Sequence, residues 1–303
     1  MAGGQERVLR RRIKSVAATR KITKAMELIA ASQIQRAQAR IAANRPYKNG
    51  MARIIVEAAK GDPHAAKKML GVPEKVENVL LLVIVGDRGL SGAYNSSVLR
   101  AAERKIIELK SQGATARLIV VGKKAAPYFR FRGQDVELSF VGFADRPSFA
   151  DARLVAAAAA APFIAGEVEQ VLLASTRFHS AGSQKVEVQQ LLPLTDPRAV
   201  SDDDEATVPH ELTGYTEFEP DAEKLLADLA PKALESEVFS ALLEGSAAFH
   251  TSQQRAMAAA TDNADELGLS LTRIMNRARQ DAITTEIMEI VGGAEALRQK
   301  KGA

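Results

Sequence analysis

The chain has 303 residues, no cysteine, no tryptophan and a formal net charge of +4, so disulfides and thiolate metal sites are excluded. Apolar residues make up 46% and charged residues 26%, ordinary for a globular protein in water. Aromatic content of only 5% suits helix pairs packed through Leu, Ile and Ala better than a wide core. The opening MAGGQERVLRRRIK has no apolar run, so no secretory signal is expected. The longest apolar run, Leu154 to Ala165, is too short to span a bilayer and is broken by Pro162, so membrane attachment is expected only through partners.

Residues 5 to about 60 read as one long helix. Leu9, Ile13, Val16, Ile22, Met26, Ile29, Ile34, Ala37 and Ile41 recur near a repeat of 3.5 to 3.6, the spacing of a coiled coil. Residues 1 to 62 carry fourteen Lys and Arg against four acids. A solvated face, a nucleic-acid arm or a helix facing acidic protein loops would each explain that imbalance. The lack of stacking aromatics apart from Tyr47 argues against nucleic acid.

After a turn-rich linker at 61–77 the pattern changes. Val79 to Val85 is a continuous apolar run, the mark of a strand covered on both faces. A helix follows at Asn95 to Leu109, a strand at Ala116 to Val121 and a short helix at Ala125 to Phe131. A third strand is expected at Val136 to Val141 and an Ala-rich helix at Ala150 to Ala165. Strands at Val171 to Phe178 and Val186 to Leu192 flank a turn at Ala181-Gly182-Ser183. Such alternation ending in a hairpin predicts an α/β sheet with an antiparallel edge.

The strongest enzymatic signal is Gly86-Asp87-Arg88-Gly89-Leu90-Ser91-Gly92, between the first strand and its helix. Backbone amides there could cradle phosphate. The spacing is GxxGxxG rather than GxGxxG, no Walker A motif occurs, and Ser91 has no evident His partner. Tight-turn geometry is the favoured reading, with a nucleotide-binding α/β protein with helical arms as the alternative. The four histidines, His64, His179, His210 and His250, lack metal-ligand spacing, so no metal or cofactor is expected.

Residues 199 to 221 carry eight acids and no Lys or Arg, the composition of a solvated loop. From Asp221 the helical period resumes to about Leu297, with Pro231 expected to restart the helix in a first turn. Leu234, Val238, Leu242, Phe249, Met257, Ala260, Ala264 and Leu267 continue one face. Leu267, Leu271, Ile274, Ala278 and Ala282 form a stripe, and Ile283, Ile287, Ile290, Ala294 and Leu297 continue it one position over. The shift widens the apolar face, so a partner protein is expected to enclose this end. The predicted fold is α/β with long helices: an antiparallel two-helix coiled coil from the N- and C-terminal segments, with an inserted Rossmann-like α/β domain. The expected parts are helix 1–62, α/β domain 77–195, acidic loop 196–220 and helix 221–303. A free-standing homodimeric scaffold is a further alternative.

Three motifs carry a family resemblance over essentially the whole chain. Ile22-Thr23-Lys24-Ala25-Met26-Glu27-Leu28-Ile29-Ala30-Ala31-Ser32 resembles the N-terminal motif of the γ subunits of F-type ATP synthases. Gly86 to Asn95 resembles their S-D-R-G-L-C-G loop, with Gly86 in place of Ser or Thr and Ser91 in place of Cys. Asn276-Arg277-Ala278-Arg279-Gln280, Ile283-Thr284-Thr285-Glu286, Glu289 and Gly293-Ala294 are similar to their C-terminal signature. The resemblance implies a non-catalytic central rotor coupling proton-driven rotation of a c-subunit ring to ATP synthesis at β-subunit sites. It implies α, β, ε and c subunits as partners, and a peripheral place at the cytoplasmic face of the cell membrane. Lys24, Met26, Arg277, Arg279, Gln280, Thr284 and Glu286 would face the α/β ring, and Ile287, Ile290, Val291 and Ala294 would lie in an apolar collar. Arg36, Arg40, Arg45, Tyr215, Phe218 and Glu219 would meet the c ring or ε. Without a cysteine pair, thiol regulation is not expected.

Overall fold

The computed structural model describes residues 2–61, 75–194 and 221–301. Most of the 61–77 linker and the whole of the 196–220 acidic loop lie outside them. The elements are α1 (Ala2–Gly61), β1 (Asn78–Ile84), α2 (Tyr94–Ser111), β2 (Thr115–Val121), α3 (Ala125–Phe131), β3 (Leu138–Phe140), α4 (Phe149–Ile164), β4 (Gln170–Phe178), β5 (Gln184–Leu192) and α5 (Ala222–Lys301). Two compact units result, one from Met1–Ile29 with Gln254–Ala303 and one from Ala30–Gln253.

The larger unit is built on a five-stranded sheet of order β3-β2-β1-β4-β5. β1 pairs in parallel with both β2 and β4, β2 with β3, and only β5 runs antiparallel, against β4. Successive side chains of a strand point to opposite faces. Leu80, Leu82 and Ile84 therefore enter one core with Ala152, Val155, Ala159, Leu234, Val238 and Leu242 from α4 and α5. Val79, Leu81 and Val83 enter the other with Val98, Ala102, Ile106 and Phe129 from α2 and α3. The uninterrupted apolar run of β1 is explained by this double cover. Ser148 caps α4 by accepting from the Asp151 amide while the Asp151 carboxylate accepts from the Ser148 amide, a reciprocal capping box. Met51, Ile55 and Ala58 of α1 pack with Leu226 and Ala233 of α5, and Lys48 pairs with Glu237 at 3.0 Å.

In the smaller unit α1 and α5 run antiparallel. The hydroxyls of Thr23 and Thr261 meet at 2.8 Å, Arg20 pairs with Asp265, and Gly268 lies against Val16. The least exposed positions of α5 here are Met257, Thr261, Ala264, Gly268, Leu271, Met275, Ala278 and Ala282, alternately four and three residues apart, a heptad seam. On α1 the seam runs through Leu9, Val16 and Thr23.

Two expectations are corrected. Ile22 and Ile29 point outward, 61% and 60% exposed, while Thr23 and Ala30 take the interior. Pro231 does not restart a helix: α5 begins at Ala222, with Asp221 Oδ1 accepting from the Lys224 amide, and continues through the proline.

Candidate functional site

The glycine loop after β1 is tied to the other strand-end loops by one carboxylate. Asp87 accepts from the amides of Lys123, Gly142 and Ala144, each at 3.1 Å. Asn95 closes the loop, accepting from the Gly86 amide at 2.8 Å and donating to the Arg88 carbonyl at 3.0 Å. Gly122, at φ +98°, ends β2 so close to β1 that a Cβ would collide with the Val85 carbonyl. Turn geometry and close approach thus account for these residues.

Sheets of this topology hold ligands at the carboxyl ends of the strands where successive connections change face, here between β1 and β4. That crevice is filled by Phe249 of α5, 1% exposed, packed with Tyr94 and Phe178. A Cβ at Gly86 would lie 2.9 Å from its ring. Ser91 is buried, and its hydroxyl oxygen accepts from Asn95 at 3.4 Å. Among the described residues no three His, Asp or Glu side chains converge to hold a metal ion.

The residues expected at the α/β ring fall in the smaller unit. On α1, Lys24 is exposed and pairs with Glu27 at 3.0 Å, while Met26 is half-buried. On α5, Arg277, Arg279, Gln280, Thr284 and Glu286 are all exposed, and the Thr284 hydroxyl donates to the Gln280 carbonyl at 3.0 Å. From Ile283 to Ala294 every residue is exposed, including Ile287, Ile290 at 72%, Val291 and Ala294. These side chains make an apolar surface that nothing among the described residues covers, mixed with cations and amides one turn earlier.

Sequence reading missed the outward apolar residues of α1: Ile22, Leu28 and Ile29 beside Lys24. The strict seven-residue spacing of Leu9, Val16, Thr23 and Ala30 was the signal that could have found them.

In the larger unit, Arg36 and Arg45 are exposed, whereas the Arg40 guanidinium donates to the Pro147 carbonyl. Burial, then the neighbouring Arg146, lowers the Arg40 pKa. Tyr215, Phe218 and Glu219 lie outside the described residues.

A family model described as ATP synthase matches residues 5–297. The ATP synthase gamma chain of Parafrankia sp. (strain EAN1pec) is 44% identical over 298 residues, covering 97% of this chain and 98% of that protein. The gamma chain of Clavibacter sepedonicus is 41% identical over 303 residues, covering 99% and 100%. Among solved structures, the central stalk/c-ring of Tetrahymena thermophila mitochondrial ATP synthase contains a chain 27% identical, with TM-score 0.60, covering 79% of this chain and 99% of that one. A chain of the Euglena gracilis mitochondrial enzyme, 18% identical with TM-score 0.67 over 99% of this chain and 97% of that one, shares the fold.

Proposed function

The chain belongs to the ATP synthase γ-chain family, whose members form the rotor of the central stalk, and from that premise we propose how its surfaces divide the work. The paired ends of α1 and α5 turn inside a ring of α and β subunits, and the larger unit stands on ε and the c-subunit ring. The chain supplies no catalytic group; ATP is made and hydrolysed on its partners. No helix among the described residues is long and apolar enough to cross a membrane, which agrees with a peripheral place at the cytoplasmic face, held by partners.

The observation that carries this reading is the run of exposed side chains from Ile283 to Ala294. Isoleucines in water are unfavourable by roughly 25 cal/mol for each Å² left uncovered. A sleeve of apolar residues around Ile287, Ile290 and Val291 removes that cost. Arg277 and Arg279 then meet carboxylates, and Gln280, Thr284 and Glu286 meet hydrogen-bonding groups. Lys24 and Met26, with Ile22 and Ile29 beside them, supply the α1 side of the contact. Because the rotor surface is not the same at every angle, its contact energy differs among β conformers, and that difference drives their population shift.

The test is co-purification of the chain with its α and β subunits, with ATP hydrolysis measured with and without it. Hydrolysis indifferent to the chain counts against the proposal. Arg279→Glu should lower ATP synthesis while leaving assembly intact; normal synthesis in that variant removes the role given to Arg279. Calorimetric titration of the isolated chain with ATP or NAD should give no stoichiometric heat, since Phe249 occupies the crevice a nucleotide would need.

A further inference from the structure

The crevice between β1 and β4 is shaped around α5 more closely than packing alone requires. Gly86 gives the Phe249 ring its place, and Gly245, one turn earlier on α5, leaves room for the Tyr94 hydroxyl, 3.1 Å from where a Cβ would stand. The Tyr94 ring meets Phe249 edge-on, with centroids 5.6 Å apart. Polar groups from three separate segments close over the ring. The Ser246 hydroxyl donates to the Asp145 carbonyl, and Arg88 Nε donates to Asp145 Oδ2 at 2.6 Å. His250, 5% exposed, stacks edge-on against Phe249 at 5.3 Å. Both His250 Nδ1 and Asp145 Oδ1 are buried without a hydrogen-bond partner. Beneath them the Glu244 carboxylate accepts from the Phe178 amide at 3.1 Å, fastening the end of β4 to the same turn of α5. Deeper in the sheet the contacts with α5 are mainly aliphatic, through Leu234, Val238 and Leu242. This one combines two glycines cut to fit with a polar rim.

We infer that the ligand crevice of the α/β sheet is a socket whose permanent occupant is Phe249, and that Arg88, Asp145 and His250 are positioning residues that latch the sheet to α5 so that the two turn as one body. The socket stands on the contacts above; its bearing on coupling rests on the rotor reading. The groups facing His250 are Asp145 from the β3–α4 loop, Arg88 from the β1–α2 loop, and Phe249 and Gln253 on its own helix. Burial lowers the His250 pKa, Asp145 acts to raise it and Arg88 to lower it. A proton added there charges a ring that is almost wholly buried, which loosens the latch.

The test uses the full chain, alone and assembled with its partner subunits, carrying Phe249→Ala or Phe249→Leu. Amide exchange across residues 86–95 of the alanine variant should speed up by at least about tenfold, with the leucine variant restoring most of the protection. In the assembled enzyme, protons pumped per ATP hydrolysed should fall severalfold for Phe249→Ala while hydrolysis itself stays within about twofold, as expected for an element that positions rather than reacts. Unchanged exchange, or unchanged pumping despite a loosened loop, overturns the inference. If Phe249→Ala does not fold, His250→Gln decides. Protection at 86–95 in the unmodified chain should decline as pH falls through the histidine range and stay flat in the glutamine variant; a flat unmodified chain overturns the latch. Should the unmodified chain support no coupled pumping, the rotor reading fails while the exchange result still judges the socket.

Discussion

The sheet of the larger unit and the last described turns of α5 obey opposite rules. Around β1 every apolar side chain finds a protein neighbour, and three amides from the loops after β2 and β3 converge on Asp87. From Ile283 to Ala294 every residue is exposed, Ile290 to 72%. The first region is covered on both faces by helices of this chain; the second has no such cover among the described residues. Both regions carry large aliphatic side chains, so what separates them here is whether the described residues supply a second layer.

Mutations should expose that contrast, and the largest effect on folding belongs to the sheet. Leu82→Ala removes a fully buried side chain between two layers and should cost about 3–5 kcal/mol, read as a lowered denaturation midpoint. Gly122→Ala forces a Cβ into the Val85 carbonyl at positive φ and should cost at least about 2 kcal/mol in the same measurement. Thr23→Val breaks the Thr23–Thr261 hydroxyl contact and should cost about 1 kcal/mol. Thr261 keeps its donation to the Met257 carbonyl in that variant, so adding Thr261→Val should cost little more, since two apolar groups then face each other.

Acid should weaken the larger unit modestly through His250. Its folded pKa lies below the ordinary value of about 6.5, so the unfolded chain binds the proton more readily. The stabilisation is whole above about pH 6.5 and is lost as pH falls below it, with a slope of at most about 1.4 kcal/mol per pH unit. Denaturation of the unmodified chain and of His250→Gln at several pH values checks this; equal slopes rule it out. The smallest effect on folding is expected at the α5 end, where Ile290→Ala should stay within about 0.5 kcal/mol. Its effect should appear instead as weaker retention by the α and β subunits. If Ile290→Ala destabilises the isolated chain as much as Leu82→Ala, the two regions do not differ as described.

Much of the sheet was legible because its physics is local. A strand covered on both faces must be apolar at successive positions, as Val79 to Ile84 are, and the hairpin turn at Ala181-Gly182-Ser183 announces itself by composition. β3 was harder: only Leu138–Phe140 pairs, and an edge strand that short leaves little pattern. The helix seam was misread because large aliphatics dominate any count of periodicity. Ile22 and Ile29 drew the reading one position away from Thr23 and Ala30. Antiparallel helices packed through Thr, Ala and Gly approach closely, which frees the isoleucines for another surface. The Phe249 socket could not be seen in sequence, because its walls at Gly86, Asp145 and Phe178 come from two loops and a strand end far apart in the chain. The motif resemblance singled out the polar residues of α5 proposed as contacts, whereas periodicity alone marked only the apolar ones.

The heptad seam also bears on direction. A repeat of seven falls short of two full turns of a straight helix, so the pair in the smaller unit winds left-handedly about itself. Torque applied in one sense tightens such a winding, and torque in the other sense opens it. Clockwise and counter-clockwise loads are therefore not mirror images for this pair, and its resistance to synthesis-driving rotation differs from its resistance to the reverse.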